Sequence, residues 1–287
     1  MQNKSAAITG AGSGLGREIA LGLAAKGYKV FGTAFSPSEV SGFASTAPAG
    51  YITLTRCDIT KEEDVINWAR VVTAALNDSG LDLLINNAGV LTPGPMEVLQ
   101  LDAIRKEFEI NVFGSLSTIH AFLPLLRIAK GRIVQIGSMT GRFPVPYSGP
   151  SSASKAAMEA FADVYRIELE PFGIDFVLAQ PGNLLTGGPG KTAAQMEQVS
   201  ARMSEQQRSL YGKQFTTFAT AFNRMQGSGL ASADAAARVI EISEQMPAPS
   251  RAPVGKDAEE ILRMVRDDTD AELDEYRRKI FDLDKVS

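Results

Sequence analysis

Short apolar runs alternate with segments of helical length along most of this chain, and that alternation restricts its fold more than any other feature. The runs are Ala6–Ile8, Lys29–Thr33, Tyr51–Thr55, Leu81–Ile85, Gly131–Ile136 and Ile174–Leu178. Strands separated by helix-length segments form βαβ units, whose crossovers cover both faces of a parallel sheet. Asp64–Leu76, Asp102–Ile128 and Ser154–Pro171 carry the clearest helical patterns, and Pro124, which lacks an amide donor, predicts a bend in the second. Residues 251–255 predict a last strand or extended edge, and residues 257–278 a charged, solvated terminal helix. The expected architecture is one α/β domain over residues 1–287 with a doubly wound parallel sheet.

Between about Asn183 and Ser232 the regular alternation stops. Leu210, Tyr211, Phe215, Phe218 and Phe222 predict one or two helices across the carboxyl end of the sheet, either as a lid over an apolar substrate or as ordinary core.

A net charge of −4 with 44% hydrophobic and 22% charged residues gives no basic excess to attract nucleic acid or anionic lipid, so a small-molecule partner is expected. Cys57, the single cysteine, cannot form an intrachain disulfide and has no cysteine partner for a metal site, which fits a cytoplasmic setting. No signal peptide or membrane-spanning run of about 18 apolar residues is expected. The single histidine, His120, excludes multi-histidine metal sites and is read as a structural residue of a helix.

Thr9-Gly10-Ala11-Gly12-Ser13-Gly14-Leu15-Gly16 follows the first strand and opens the helix beginning near Arg17. Glycines here permit positive φ and let the backbone approach a pyrophosphate, whose charge faces the amides at the helix N-terminus. Gly10, Gly14 and Gly16 are spaced Gly-x-x-x-Gly-x-Gly, which differs from the Gly-x-Gly-x-x-Gly fingerprint. With Cys57-Asp58-Ile59-Thr60 after the third strand and Asn86-Asn87-Ala88-Gly89 after the fourth, roughly residues 5–185 resemble the short-chain dehydrogenase/reductases. Arg251-Ala252-Pro253-Val254-Gly255 is similar to the hydroxysteroid and retinol-type branch that acts on lipophilic alcohols.

The resemblance implies a Rossmann fold with a helical substrate-lid insertion, and an NAD(P)-dependent oxidoreductase interconverting an alcohol and a ketone or aldehyde. It places cofactor contacts at Gly10, Ser13, Gly14, Leu15, Gly16, Phe35 and Lys155, adenine contacts at Asp58 and Ile59, and ribose contacts at Asn87, Ala88 and Gly89. Pro181, Gly182, Leu184 and Thr186 match the segment beside the nicotinamide carboxamide. Asp58 is also placed to cap the helix beginning near Thr60. Ala34, Phe35 and Ser36 lack the acid that would accept from an adenosine ribose 2′-hydroxyl, so NADP(H) is favoured. NAD(H) stays possible, because Phe35 stands where an arginine would pair with the 2′-phosphate.

Asn111, Ser138, Ser151 and Lys155 match the family's catalytic tetrad in order and context. The match implies that Ser138 holds the substrate oxygen while a neighbouring acid supplies the proton, that Lys155 lowers the pKa of that acid and binds the nicotinamide ribose, and that Asn111 holds a water on the proton path. In the family the acid is a tyrosine, whereas here the slot holds Ser151, whose hydroxyl is far less acidic and shorter by a phenol ring. The intact remainder of the site leads to the expectation of an engineered Tyr→Ser change and impaired turnover. A natural serine would favour a redox-inactive NADP(H)-binding regulator or sensor. Tyr147 lies eight residues before Lys155 and is read, with Met139 and Phe143, as a wall of an apolar pocket for an alcohol or carbonyl substrate. Family habit implies a homodimer or homotetramer built on the helices starting near Asp102 and Ser154.

Overall fold

The computed structural model describes residues 4–44, 50–77, 79–185 and 188–286. Its strands in chain order are β1 (Ser5–Ile8), β2 (Lys29–Ala34), β3 (Ile52–Arg56), β4 (Leu83–Asn86), β5 (Arg132–Ile136), β6 (Asp175–Pro181), β7 (Leu184–Leu185), β8 (Leu230–Ala231) and β9 (Arg251–Val254). The helices are α1 (Gly14–Ala25), α2 (Pro37–Ala44), α3 (Glu62–Leu76), α4 (Leu101–Phe108), α5 (Ser115–Ala129), α6 (Gly149–Leu169), α7 (Gly188–Arg202), α8 (Glu205–Gln207), α9 (Lys213–Gly227), α10 (Ser232–Glu244), α11 (Lys256–Asp267) and α12 (Asp270–Ile280).

Seven strands form one parallel sheet in the order β3-β2-β1-β4-β5-β6-β9, and β7 pairs with β8 in a separate ribbon. Strand order reverses between β1 and β4, so the chain leaves those neighbours in opposite directions and opens a crevice at their carboxyl ends. Ala7 aligns with Phe31 of β2 on one side and Leu84 of β4 on the other. Every residue of β1, β4 and β5 is buried, which explains why these strands read as mainly apolar runs and not as regular alternations; the buried polar Ser5, Asn86 and Arg132 are met by hydrogen bonds.

Ile19, Leu23, Val239 and Ile240 from α1 and α10 cover one face, while Trp68, Val72, Ile119 and Phe122 from α3 and α5 cover the other. The ring centroids of Trp68 and Phe122 stand 4.6 Å apart, edge to face. His120 Nε2 and the Tyr165 hydroxyl meet at 2.8 Å on the exposed side of α5 and α6, a structural contact away from the crevice.

Three expectations are revised by the packing. The helix predicted over 102–128 is α4 and α5 joined by a π-helical turn, Glu109–Gly114, while Pro124 is accommodated inside α5. That turn buries Asn111, Val112 and Gly114, and π turns of this kind are frequent at functional sites. The combined stretch Leu101–Ala129 is also long and apolar enough by composition to cross a membrane, although Ile119, Phe122, Leu125 and Leu126 pack into the core. Finally, the charged C-terminal segment is two helices: Thr269 and Glu272 form a capping box that starts α12. Ala258, Ile261, Leu273 and Phe281 from this segment are buried with Phe215, Phe218 and Phe222 of α9. The aromatic residues of the irregular region thus build a third core that roofs the carboxyl end of the sheet.

Candidate active site

Gly10 and Gly14 have φ of +66° and +54°, a conformation that costs glycine little. A Cβ on Gly16 would stand 2.3 Å from the Gly10 carbonyl oxygen and 2.4 Å from Asn87 Nδ2, so the turn closes only with hydrogen there. Asn87 Nδ2 donates to the carbonyls of Thr9 at 3.0 Å and Gly10 at 3.2 Å, and the amide of Ala88 donates to Thr9 Oγ1 at 3.0 Å. The Asn87 side chain therefore fastens the glycine turn to β4. Asn86 Nδ2 donates to the Ser115 carbonyl at 3.2 Å, tying β4 to α5. Leu15 is buried in the core beneath the turn, and Phe35 is exposed at the end of β2.

An acid does reach the end of β2, from the next helix. Glu39 Oε1 accepts from Ser13 Oγ at 3.0 Å, and its Oε2 accepts from the Ser36 amide at 3.2 Å and hydroxyl at 3.3 Å. Burial would raise the Glu39 pKa, but the bonds from Ser36 and Ser13 outweigh it and hold the carboxyl below its usual range. Reading only Ala34 to Ser36 missed this carboxylate because α2 folds it back over the glycine turn.

Asp58 Oδ1 accepts from the Thr60 amide at 3.1 Å and hydroxyl at 2.7 Å, which closes the turn before α3; the N-cap position itself is Lys61. Ile59 is buried against the π turn, where a Cβ on Gly114 would come within 2.8 Å of its Cγ1. After β6, Asp257 holds the loop: its Oδ2 accepts from Asn183 N at 2.7 Å and Nδ2 at 3.1 Å. A Cβ on Gly182 would collide with the same carboxylate at 2.2 Å. Pro181 ends β6, Leu184 lies in β7, and Thr186 falls outside the described residues.

Ser138 follows β5, with Oγ accepting from the Thr140 amide at 3.1 Å and contacting its hydroxyl at 2.9 Å. Lys155 Nζ donates to the Ile136 carbonyl at 2.9 Å, which draws α6 to the end of β5. Burial lowers the Lys155 pKa to about 8, against the opposing pull of Glu107. Ser151 is buried one turn earlier on α6. Asn111 Oδ1 accepts from the Val90 amide at 2.8 Å, while Nδ2 donates to the Val90 carbonyl at 2.9 Å and Ser154 Oγ at 3.0 Å. Its side-chain amide is thus engaged by protein groups. Gly89 fits between these groups, since a Cβ there would lie 3.2 Å from Asn111 Oδ1 and 3.7 Å from Lys155 Nζ.

Asn111 Nδ2 also approaches Glu107 Oε1 at 3.3 Å, and the Thr92 amide donates to Glu107 Oε2 at 2.8 Å. Glu107 is fully buried. Burial pushes its pKa up to about 7, although the hydrogen bond from Thr92 and the Lys155 charge act in the other direction. This residue escaped the sequence reading because Arg105, Lys106, Glu107 and Glu109 look like a solvated face. The available signal was its place four residues before Asn111, on the side of the helix that Asn111 turns inward.

Tyr147 adopts φ of +56° and donates its hydroxyl to Gln214 Oε1 at 3.2 Å, with its ring 5.0 Å from that of Phe218. Burial raises its pKa, and its hydroxyl is taken by α9, as suits a wall and not a proton donor. Met139 is buried in the third core. Phe143 belongs to that core too, under Arg277 at 4.4 Å and edge-on to Tyr276, so its assignment to the substrate pocket is corrected: α11 and α12 cover it.

A glycine cradle at a helix N-terminus, set at the strand-order switch and facing a serine and a lysine at the sheet's carboxyl edge, fits a nicotinamide dinucleotide. Fold and site together define a dinucleotide-binding α/β class. Residues 4–197 match the family described as short chain dehydrogenase, and the chain belongs to that family. It is 31% identical over 223 residues to the mitochondrial D-beta-hydroxybutyrate dehydrogenase of Bos taurus, covering 74% of this chain and 65% of the bovine protein. It is 30% identical over 218 residues to 3beta-hydroxysteroid dehydrogenase dhs-16 of Caenorhabditis elegans, covering 72% of this chain and 56% of that protein. The chain thus spans less than two thirds of the length of either relative. The crystal structure of a short-chain dehydrogenase from Streptomyces avermitilis is similar with a TM-score of 0.75 and 26% identity, over 99% of this chain and 98% of that one.

Proposed function

We propose that this chain interconverts a lipophilic alcohol and its ketone or aldehyde with a nicotinamide dinucleotide as hydride carrier. The observation that carries the reading is that Lys155 Nζ bonds the Ile136 carbonyl at the end of β5, two residues before Ser138, with only β4 between that strand and the one that ends in the glycine turn. When bound, the dinucleotide supplies or accepts the hydride. Ser138 holds the substrate oxygen as negative charge develops on it, and Lys155 holds the nicotinamide ribose. Leu91, Val98, Val199 and Tyr147, partly buried against the third core, support an apolar substrate.

The absence of an acid at Ala34 to Ser36 supports NADP(H) over NAD(H), and Glu39 makes that preference narrow, because its carboxylate occupies Ser13 where a 2′-phosphate would need a donor. Exposed Phe113, Ile128, Phe161, Val164 and Ile167 on α5, α6 and the turn before α5 support association of copies through those helices. Cys57 is buried, with its thiol pKa pushed up to about 12 by burial, which suits a chain working without disulfide chemistry.

Ser151 alone is a poor proton donor, and a site relying on it alone turns over slowly, since a positioned acid contributes about 10²–10⁴-fold. The test is reduction of a panel of lipophilic ketones and aldehydes by the Ser151→Tyr variant, with and without Lys155→Ala. Turnover that depends on Lys155 supports the reading. Absence of turnover in Ser151→Tyr, with dinucleotide and a panel ketone both shown to bind, overturns it in favour of a redox-inactive binding protein.

A further inference from the structure

We propose that Glu159 is a positioning residue of this site, whose buried carboxylate, paired with Arg142, sets the spacing between Ser138 and Lys155. The inference rests on the oxidoreductase reading above.

Ser151, Lys155 and Glu159 follow one another at intervals of four residues along α6, so they share one side of that helix. Lys155 is pinned to the end of β5 through the Ile136 carbonyl. One turn further on, Glu159 is 4% exposed, and its contacts run to elements distant in the chain. Its Oε1 accepts from Gln180 Nε2 at 2.8 Å, next to the last residue of β6. Its Oε2 stands 2.9 Å from Arg142 Nε and 3.7 Å from Arg251 Nε of β9, and Arg251 also reaches Asp163 at 2.5 Å.

Arg142 is the partner that bears on the chemistry. It lies four residues after Ser138, at the end of the short 3₁₀ turn that Ser138 opens, as Glu159 lies four residues after Lys155. The pair therefore ties the turn bearing Ser138 to the helix bearing Lys155. Gly141 lets the two meet, since a Cβ there would stand 2.7 Å from Glu159 Oε1 and 3.2 Å from the carbonyl carbon of Lys155. Oε2 meets its two arginines as ion pairs and has no hydrogen-bond partner among the described residues, so charge is what holds them. A carboxylate this enclosed is costly unless its counter-charges are in place, and one of them comes from the Ser138 turn. Misplacing a reacting group by about 1 Å can cost on the order of 10²-fold in rate. Because Ser138 acts on charge that develops in the transition state, its displacement should fall on kcat more than on KM.

The test is a double-mutant cycle of Glu159→Gln and Arg142→Met, made in the parent and in Ser151→Tyr. Glu159→Gln keeps the shape and the acceptor for Gln180 while removing the charge that holds Arg142. With a panel ketone and dinucleotide, each single change should lower kcat by about tenfold or more, with KM for both ligands within about threefold, and the double variant should be no slower than the slower single. A pair that only stabilises the fold would lower the melting temperature and leave kcat unchanged where the protein is folded. A readout independent of turnover is amide hydrogen exchange: Thr140 and Gly141, both bonded to Ser138, should exchange roughly tenfold faster in Glu159→Gln, with Ile133 and Val134 of β5 unaffected. Should Glu159→Gln not fold, Arg142→Met, at a half-exposed side chain, is judged by the same rate and exchange criteria. Rate losses that multiply in the double variant overturn the tether, as does unchanged exchange in the Ser138 turn. If Ser151→Tyr turns over and Glu159→Gln leaves its kcat unchanged, the positioning role fails and the oxidoreductase reading stands. If Ser151→Tyr is inactive with both ligands bound, both fail.

Discussion

Asp257 of α11 accepts the Asn183 amide at 2.7 Å, which ties the C-terminal helices to the loop that leaves β6 beside the candidate active site. The same carboxylate takes Asn183 Nδ2 and the amide of Ala258, so one side chain fixes both a loop and the first turn of a helix. Asp257→Ala should therefore cost about 2 kcal/mol of stability, as charge-assisted bonds to buried groups typically do, and weaken dinucleotide binding. Urea denaturation together with calorimetric titration checks both effects. Unchanged affinity in a destabilised variant would show that the loop needs no such anchor to receive the cofactor.

Glu39 should decide how narrow the cofactor preference is. Glu39→Gln removes the negative charge beside Ser13 while keeping an oxygen to accept from it, so NADPH should tighten relative to NADH by roughly tenfold, equivalent to about 1.4 kcal/mol. The ratio of the two dissociation constants is the measurement. An unchanged ratio would remove Glu39 from the 2′ position.

Asp58→Ala should weaken cofactor binding more than it lowers the melting temperature. The lost bonds to Thr60 lie in an exposed turn ahead of α3 and are worth about 1 kcal/mol, in the range of a helix cap. A large fall in melting temperature with intact affinity would make Asp58 a structural residue only.

Stability should carry the mark of Glu107 in its pH dependence. The folded state raises this carboxyl's pKa to about 7 from an ordinary value near 4.5, so folding favours the protonated form. The unfolded chain releases the proton at lower pH, and the folded state therefore loses stability as pH rises from about 4.5 to about 7, by up to roughly 3 kcal/mol. Glu107→Gln should flatten that slope, whatever its absolute stability. Parallel denaturant melts of the two proteins across this range would expose a mistaken sign or a carboxyl that is not perturbed.

Gly16→Ala should abolish dinucleotide binding, because its methyl would enter the space of the Gly10 carbonyl and the Asn87 amide that together shape the turn. Retained binding would mean that the turn can open without losing its function.

Much of this architecture was legible in one dimension. Strands buried on both faces are mostly apolar, so β1, β4 and β5 announce themselves, and a turn that brings backbone against backbone at Gly16 requires glycine. Ser138, Ser151 and Lys155 were singled out by their resemblance to the family's tetrad in order and context, and the shared helix face of the last two is a local relation. Less visible were contacts set by the path of the chain through space. The aromatic residues of α9 read equally as lid or core, and only the docking of α11 and α12 onto them makes Phe143, Phe215 and Phe218 a core.

The sequence by itself determined the parallel sheet and the glycine turn, because each follows from residues close together in the chain. The tertiary structure alone decided which charges face the candidate active site. Glu39 reaches Ser13 because α2 folds back over the turn, Asp257 reaches Asn183 from the far end of the chain, and the π turn at Asn111 draws Glu107 inward. A carboxylate's role is fixed by its burial and its partners, and both are properties of elements that meet only after folding.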